Sequence, residues 1–312
     1  MRVLLTGAGG FVGPHALAAL RARGHVVTPV GSPRHQPAVE WVVDLTDADA
    51  TLRLIEQRAP EVVIHLAARS RPSGLDALGA LFDNNVRAAA SVLEATRRAA
   101  PRARVIVASS SAVYGAVPPE RNPVTEDMPP QPLLPYGASK VAVEGLASVY
   151  RGQGLDVVVV RPFNLIGAGQ DATFVLAGFA RQIMRAAARQ SKAEIETGPL
   201  ERVRDFLDVR DAAEAYAALV ERPVGFGPLN LCSGVPRRLG DVLGEMMALA
   251  GVTAAIRPNP GAGTPGRLDV PYQCGSRIAM MHAVDWQPQV PWKRTLGDLL
   301  EDWRDRIDAE GR

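Results

Sequence analysis

The sequence predicts an α/β protein built on a doubly wound parallel sheet, with a smaller lobe at its C-terminal end. Three observations predict it. A glycine-rich turn joins the first strand to the first helix, short apolar runs then alternate with helix-length segments, and that rhythm breaks after Asn164. Strands that are apolar on both faces suit a sheet covered by helices on both sides.

In order, residues 2–6 are the first apolar run, 7–13 the glycine-rich turn, and 14–23 a helical stretch ended by Gly24. Further runs of strand length lie at 26–30, 41–43, 62–66, 105–108 and 157–160, with room between them for crossover helices. Two of those crossovers read as helices at about 77–99 and 136–150. Beyond Asn164, helical stretches lie near 174–188, 211–221 and 239–250. Proline and glycine cluster at 118–135 and 258–271, which read as long ordered loops because apolar residues are mixed in. The expected division is residues 1–165 as the sheet domain, with later returns near 205–233, and 166–312 as mainly the second lobe.

With 312 residues, 47% of them hydrophobic and 22% charged, the chain buries a sizeable core in one or two domains and is not disordered. Its 35 Lys and Arg stand against 33 Asp and Glu and are interleaved with them, so a nucleic-acid-binding surface is not expected. The two cysteines, Cys232 and Cys274, lie in no CxxC or Cys/His cluster, which speaks against a disulfide framework and a metal site. No apolar run approaches the ~18 residues of a membrane-spanning helix, and the first strand begins at residue 2 with no leader before it. A cytoplasmic protein without membrane association is the expectation.

Glycines at 7, 10 and 13 sit between strand and helix, and each has a physical job. Gly7 permits the tight turn. Gly10 lets backbone approach a pyrophosphate held at the helix N-terminus, with Phe11 and Val12 beside it, and Gly13 lets helix and strand pack closely. This is the dinucleotide-binding pattern of the Rossmann fold. The end of the second strand decides which dinucleotide, because an acid there binds a ribose hydroxyl and a cation binds a 2'-phosphate. Gly31 offers no acid, while Ser32 and Arg34 suit a phosphate, so NADP(H) is favoured and NAD(H) stays possible. Asp44 ends the third strand, where it either reaches the adenine or caps the next helix, with Leu45 following.

Tyr136 and Lys140 are spaced four apart on a helical stretch and therefore share a face. There the ammonium is expected to pull the phenol pKa down from about 10 toward neutrality, making Tyr136 a general acid or base. Upstream, Ser109, Ser110 and Ser111 follow a strand, at the carboxyl end where open α/β sheets carry ligand groups. A serine there either binds a substrate oxygen or caps a turn.

Taken together, TGAGGFVG at 6–13, DLTD at 44–47, HLAA at 65–68, Asn85-Val86, SSSAVYG at 109–115, PYGASK at 135–140 and RPFN at 161–164 resemble the extended short-chain dehydrogenase/reductases, the NAD-dependent epimerase/dehydratase family. The resemblance implies a catalytic set of Ser110, Tyr136 and Lys140. It also implies cofactor contacts from Leu66, Ala67, Ala68 and Asn85, besides Tyr136 and Lys140. Members that dehydrate a sugar carry a carboxylate just after the catalytic hydroxyl, and here Ser111 and Ala112 stand in those places.

Within the family, residues 161–170, 179–183, 204–211 and 230–234 resemble reductases that convert GDP-4-keto-6-deoxy-D-mannose to GDP-D-rhamnose, although Leu165 and Ala168 replace that group's usual His and Pro. The resemblance implies a nucleotide-sugar substrate held by Ser111, Asn164, Arg204, Arg267 and Asp269. It further implies a homodimer paired through the helices at about 77–99 and 136–150, where Ala88, Ala89, Ala90, Val141, Ala142 and Val143 would permit close approach. A 4-epimerase with retained NAD uses the same three catalytic residues and is the alternative. A non-catalytic cofactor-binding protein is a third reading, disfavoured because both Tyr136 and Lys140 are present.

Overall fold

A computed structural model describes residues 1–33, 39–70, 78–189, 193–225, 227–259 and 270–310. Its first strands and helices alternate as the apolar runs foretold: β1 (Arg2–Thr6), α1 (Gly13–Ala22), β2 (Val26–Gly31), β3 (Trp41–Val42), α2 (Ala48–Arg58) and β4 (Val62–His65). A short α3 (Leu78–Leu81) runs through a π-helical turn at Phe82–Val86 into α4 (Arg87–Ala99). Then follow β5 (Arg104–Ala108), α5 (Pro135–Gly152), β6 (Val157–Pro162) and β7 (Asn164–Ile166). The remainder is α6 (Val175–Arg189), β8 (Ala193–Thr197), β9 (Val203–Asp208), α7 (Val209–Glu221), β10 (Pro228–Leu231), β11 (Pro236–Arg238), α8 (Leu239–Ala250), β12 (Ala254–Pro258), β13 (Tyr272–Gln273), α9 (Ile278–Val284) and α10 (Trp292–Glu310).

Seven strands form one sheet in the order β10-β6-β5-β4-β1-β2-β3, every pair parallel. The chain leaves β1 toward β2 and β3, then returns to β4 on the other side. The crevice beyond the carboxyl ends of β1 and β4 is thus the topological switch point, where such sheets bind ligands. Alternate side chains of each strand enter opposite cores. Val3, Leu5, Ile64 and Ile106 pack with α1, α7 and α9, while Leu4, Val63, Val105 and Val107 pack with α2, α4 and α5.

The second lobe has its own core, in which Leu176, Phe179, Ile183, Phe206, Leu243, Met246 and Leu299 interlock α6, α8 and α10 over β9. β9 pairs with β11, β13 and β7, and β8 pairs with β12. Asp205 ties this lobe to the sheet. Fully buried, it accepts from the backbone N–H groups of Ser233, Gly234 and Gly275 and from the Ser233 hydroxyl. Unpaired, such a carboxylate would be costly to bury, and these four donors together with the Cys274 thiol at 3.6 Å compensate it.

The helices expected to pair two copies spend much of their small-residue surface inside the molecule. Ala88, Ala89 and Val143 pack into the core against the sheet, leaving Ala90, Val141 and Ala142 partly exposed. No helix among the described residues is long and apolar enough to cross a membrane.

Candidate active site

The glycine-rich turn is shaped by close approach. Gly7 has φ +73°, and a Cβ on it would lie 2.7 Å from the Ala67 backbone nitrogen. A Cβ on Gly13 would lie 2.5 Å from the carbonyl oxygens of both Gly7 and Ala8, so this glycine accommodates the turn's own carbonyls as α1 begins. Gly10 donates its N–H to the Gly7 carbonyl at 3.0 Å. Val12 precedes α1 as its N-cap, and the first turn of that helix carries no acidic side chain. Its positive end is therefore suited to a phosphate.

Beside the turn lies a cavity of about 370 Å³ lined by Gly7, Gly10, Gly31, Ser32, Asp44, Leu45, Ala67 and Ala68, all but Gly31 named as cofactor contacts from the sequence. Gly31 lies where an acid would stand, and Ser32 is exposed beside it. Asp44 accepts from the Thr46 N–H at 3.0 Å and hydroxyl at 2.7 Å, while Asp47, not Asp44, caps α2. The glycine cradle and the helix N-terminus without an acid in its first turn fit a dinucleotide, and Gly31 sets no carboxylate against a 2'-phosphate. Arg34, Arg267 and Asp269 lie outside the described residues.

Two expected contacts are placed differently. Asn85 is buried inside the π-helical turn, where it bridges the Arg69 backbone and the Ser139 hydroxyl, and its neighbour Asn84 lines the cavity instead. A π turn inserts one residue into the helical register, which an i,i+4 reading does not detect. Ser111 is buried, its hydroxyl donating to Gln273 Oε1 at 3.3 Å and its carbonyl accepting from Gln273 Nε2 at 3.2 Å. It joins the two lobes through β13, because the 3-10 turn of residues 111–113 directs it inward. Phe11 lies edge-on to His15, and Leu66 packs partly buried against the core beneath β4. On the cavity wall, sequence reasoning missed Thr46, although it lies within DLTD at 44–47, and Arg69 and Asn84, which belong to no quoted motif.

At the end of β5, α5 brings the other named groups together. Pro135 opens the helix, so Tyr136 and Lys140 fall one above the other on the face toward Ser110. The Ser110 hydroxyl accepts from the Ala112 N–H and interacts with the Tyr136 hydroxyl. Lys140 Nζ donates to the Ala108 carbonyl at 2.6 Å and lies 5.9 Å from the Tyr136 ring centre. Contrary to the sequence expectation, the phenol pKa is not lowered. Burial pushes it up to about 12 against the favourable contact with Ser110. Burial also pushes Lys140 down to about 8, against the attraction of Glu144. His65, at the end of β4, is held neutral near 3 by burial and by the nearby Lys140 ammonium.

In the second lobe, Asn164 Nδ2 donates to the Asp205 carbonyl at 2.9 Å, and Arg204 Nη1 donates to the Val203 carbonyl at 2.8 Å. Both residues are half-buried. Cys232 and Cys274 are free, buried thiols, and burial raises both of their pKa values.

A glycine cradle at the switch point of a parallel sheet, with a tyrosine, lysine and serine converging beside it, defines a dinucleotide-dependent enzyme of the extended short-chain dehydrogenase/reductase class. The chain belongs to the NAD dependent epimerase/dehydratase family, whose pattern matches residues 3–232. It is 30% identical over 311 residues to the GDP-6-deoxy-D-mannose reductase of Pseudomonas aeruginosa, covering 99% of each chain. It is 32% identical over 327 residues to a UDP-glucose 4-epimerase of Mycolicibacterium smegmatis, covering 98% of this chain and 99% of that one. Among solved structures, RMD from Pseudomonas aeruginosa complexed with NADPH matches with a TM-score of 0.86 and 30% identity over 98% of both chains.

Proposed function

We propose that the chain reduces the 4-keto group of a nucleotide-linked 6-deoxy sugar, GDP-4-keto-6-deoxy-D-mannose to GDP-D-rhamnose, and uses NADPH in preference to NADH. The observation that carries this reading is a phenol kept protonated beside a serine and a lysine, in a chain alike end to end to a GDP-6-deoxy-D-mannose reductase. A bound nicotinamide supplies hydride to the carbonyl carbon. Tyr136 gives its O–H proton to the carbonyl oxygen, and Ser110 orients that oxygen by hydrogen bonding. Lys140 stabilises the phenolate that results, so its part comes after proton transfer and does not depend on lowering the resting pKa. Hydride and proton together convert ketone to alcohol, and the phenolate recovers its proton from solvent.

In this reading Gly7, Gly10, Ser32, Arg34, Asp44, Leu45, Ala67 and Ala68 hold the cofactor. Asn164, Arg204 and Arg267 hold the nucleotide diphosphate, guanidinium forks being suited to phosphate oxygens, and Asp269 contacts the substrate elsewhere. Residues 1–165 with returns near 205–233 serve the cofactor and 166–312 mainly the sugar. The enzyme works as a cytoplasmic homodimer, a setting that suits its two free thiols.

Similarity to a UDP-glucose 4-epimerase over nearly the whole chain supports a second reading, a 4-epimerase that retains its NAD. Incubation with NADPH and a panel of nucleotide 4-keto-6-deoxy sugars, followed by cofactor absorbance and product mass, separates the two. Reduction of the GDP ketosugar supports the first. Interconversion of UDP-sugars by protein carrying tightly held NAD, with no net cofactor consumption, replaces it with the second.

A further inference from the structure

Helix α5 grips three consecutive residues at the end of β5 with three side chains spaced four apart. Tyr136 meets the Ser110 hydroxyl, Lys140 donates to the Ala108 carbonyl, and Glu144 accepts the Ser109 hydroxyl. Spacing of four keeps successive side chains on one face, so the third belongs to the same stripe as the first two. Glu144 is itself clamped from β6: Arg161 Nε donates to Oε1 at 2.9 Å and Nη2 to Oε2 at 2.7 Å. That guanidinium is only 4% exposed, and its Nη1 donates to the Tyr114 hydroxyl at 2.8 Å and the Glu126 carbonyl at 3.3 Å. Tyr114 in turn donates to Asn230 Oδ1 at 2.7 Å. Every polar edge of the Glu144–Arg161 pair is therefore directed, and neither residue takes part in the chemistry above.

We propose that Glu144, clamped by Arg161, is a positioning residue that sets α5 against the end of β5 and keeps the Lys140 ammonium charged beside Tyr136. The inference rests on the assignment of Ser110, Tyr136 and Lys140 as the reacting centre. Among the described residues, neutral His65 from β4 and Tyr136 and Glu144 from its own helix interact with Lys140. Glu144 is the one that opposes the effect of burial on Lys140. Without it, burial acts unopposed to lower the proton affinity of the amine, and the end of β5 loses one of its three anchors.

A buried ion pair also stabilises packing, and breaking one partner leaves an unpaired charge. The test therefore separates fold from positioning. The chain has three lysines, Lys140, Lys192 and Lys293, so ¹⁵N-lysine labelling gives three side-chain titrations that are readable without substrate. In Glu144→Gln, Lys140 is expected to lose about tenfold in proton affinity, with kcat down about tenfold or more and KM and NADPH Kd within about threefold. Glu144→Gln with Arg161→Met removes both charges and is expected to recover the thermal midpoint while kcat and the Lys140 titration stay impaired. Ser109→Ala keeps both charges and is expected to lower kcat at an unchanged midpoint and Lys140 titration.

An unaltered Lys140 titration in Glu144→Gln overturns the proposal, as does recovery of kcat together with stability in the double variant. Should the charge variants fail to fold, wild-type kcat in Ser109→Ala overturns it. A wild type that does not reduce the ketosugar refutes the function assigned above. In that case the Lys140 titration still decides the positioning role.

Discussion

Acidification from pH 7 to pH 5 is expected to destabilise the fold by about 2 kcal/mol through His65 alone. This imidazole is 3% exposed at the end of β4, with Nδ1 2.9 Å from Thr6 Oγ1. Burial, reinforced by the Lys140 ammonium, pushes its pKa from the ordinary 6.5 to about 3. The unfolded chain takes up a proton as pH falls through 6.5, whereas the folded chain does not do so until about 3. The folded state's advantage is complete above 6.5 and is lost progressively below it, by roughly 1.4 kcal/mol per pH unit. Against a total stability of about 5–15 kcal/mol that loss is readily measured. Urea unfolding at pH 7, 6 and 5 is expected to show it in the wild type and to show a slope flatter by about 2 kcal/mol over that interval in His65→Gln. Equal slopes in the two proteins, or an NMR titration placing His65 near 6.5, would refute the reasoning.

Four further outcomes are expected. Tyr136→Phe should reduce turnover by ~10²- to 10⁴-fold while leaving NADPH Kd nearly intact, and retention of more than about a tenth of wild-type activity would remove Tyr136 from its role. Gly7→Ala imposes about 1–2 kcal/mol of left-handed strain and drives its Cβ onto the Ala67 backbone, so calorimetry should show a lower Tm and cofactor titration a lower affinity. Wild type should bind NADPH about tenfold to hundredfold more tightly than NADH, and Arg34→Ala should abolish the ratio; equal Kd values in the wild type would refute the role of Arg34. Light scattering at micromolar concentration should give the mass of a dimer, formed through α4 and α5 by way of Ala90, Val141, Ala142 and the exposed Val149.

The sheet, its parallel order and the cofactor crevice were legible in the sequence because they rest on local, repeating constraints. An apolar run of four or five residues set between turn signals and helix-length segments suits a doubly covered strand, and a glycine spacing between strand and helix marks a turn into which no side chain fits. The four-residue spacing of Tyr136 and Lys140 likewise guarantees a shared face whatever surrounds the helix. The motifs in sequence order also pointed to the family.

What the tertiary structure decided were the properties that arise when distant segments meet. Burial is a sum over neighbours from several elements, so the raised pKa of Tyr136 and the lowered pKa of Lys140 follow from the packing of α5 against β5 and not from their spacing. Gln273, 162 residues from Ser111, turns an expected substrate contact into a link between lobes, and the π turn exchanges Asn85 for Asn84 on the cavity wall. Glu144 was visible in the sequence as one more acid on a helix. Its engagement with Ser109 and Arg161 exists only because β5 and β6 lie side by side, a pairing fixed by the whole sheet and by no local pattern.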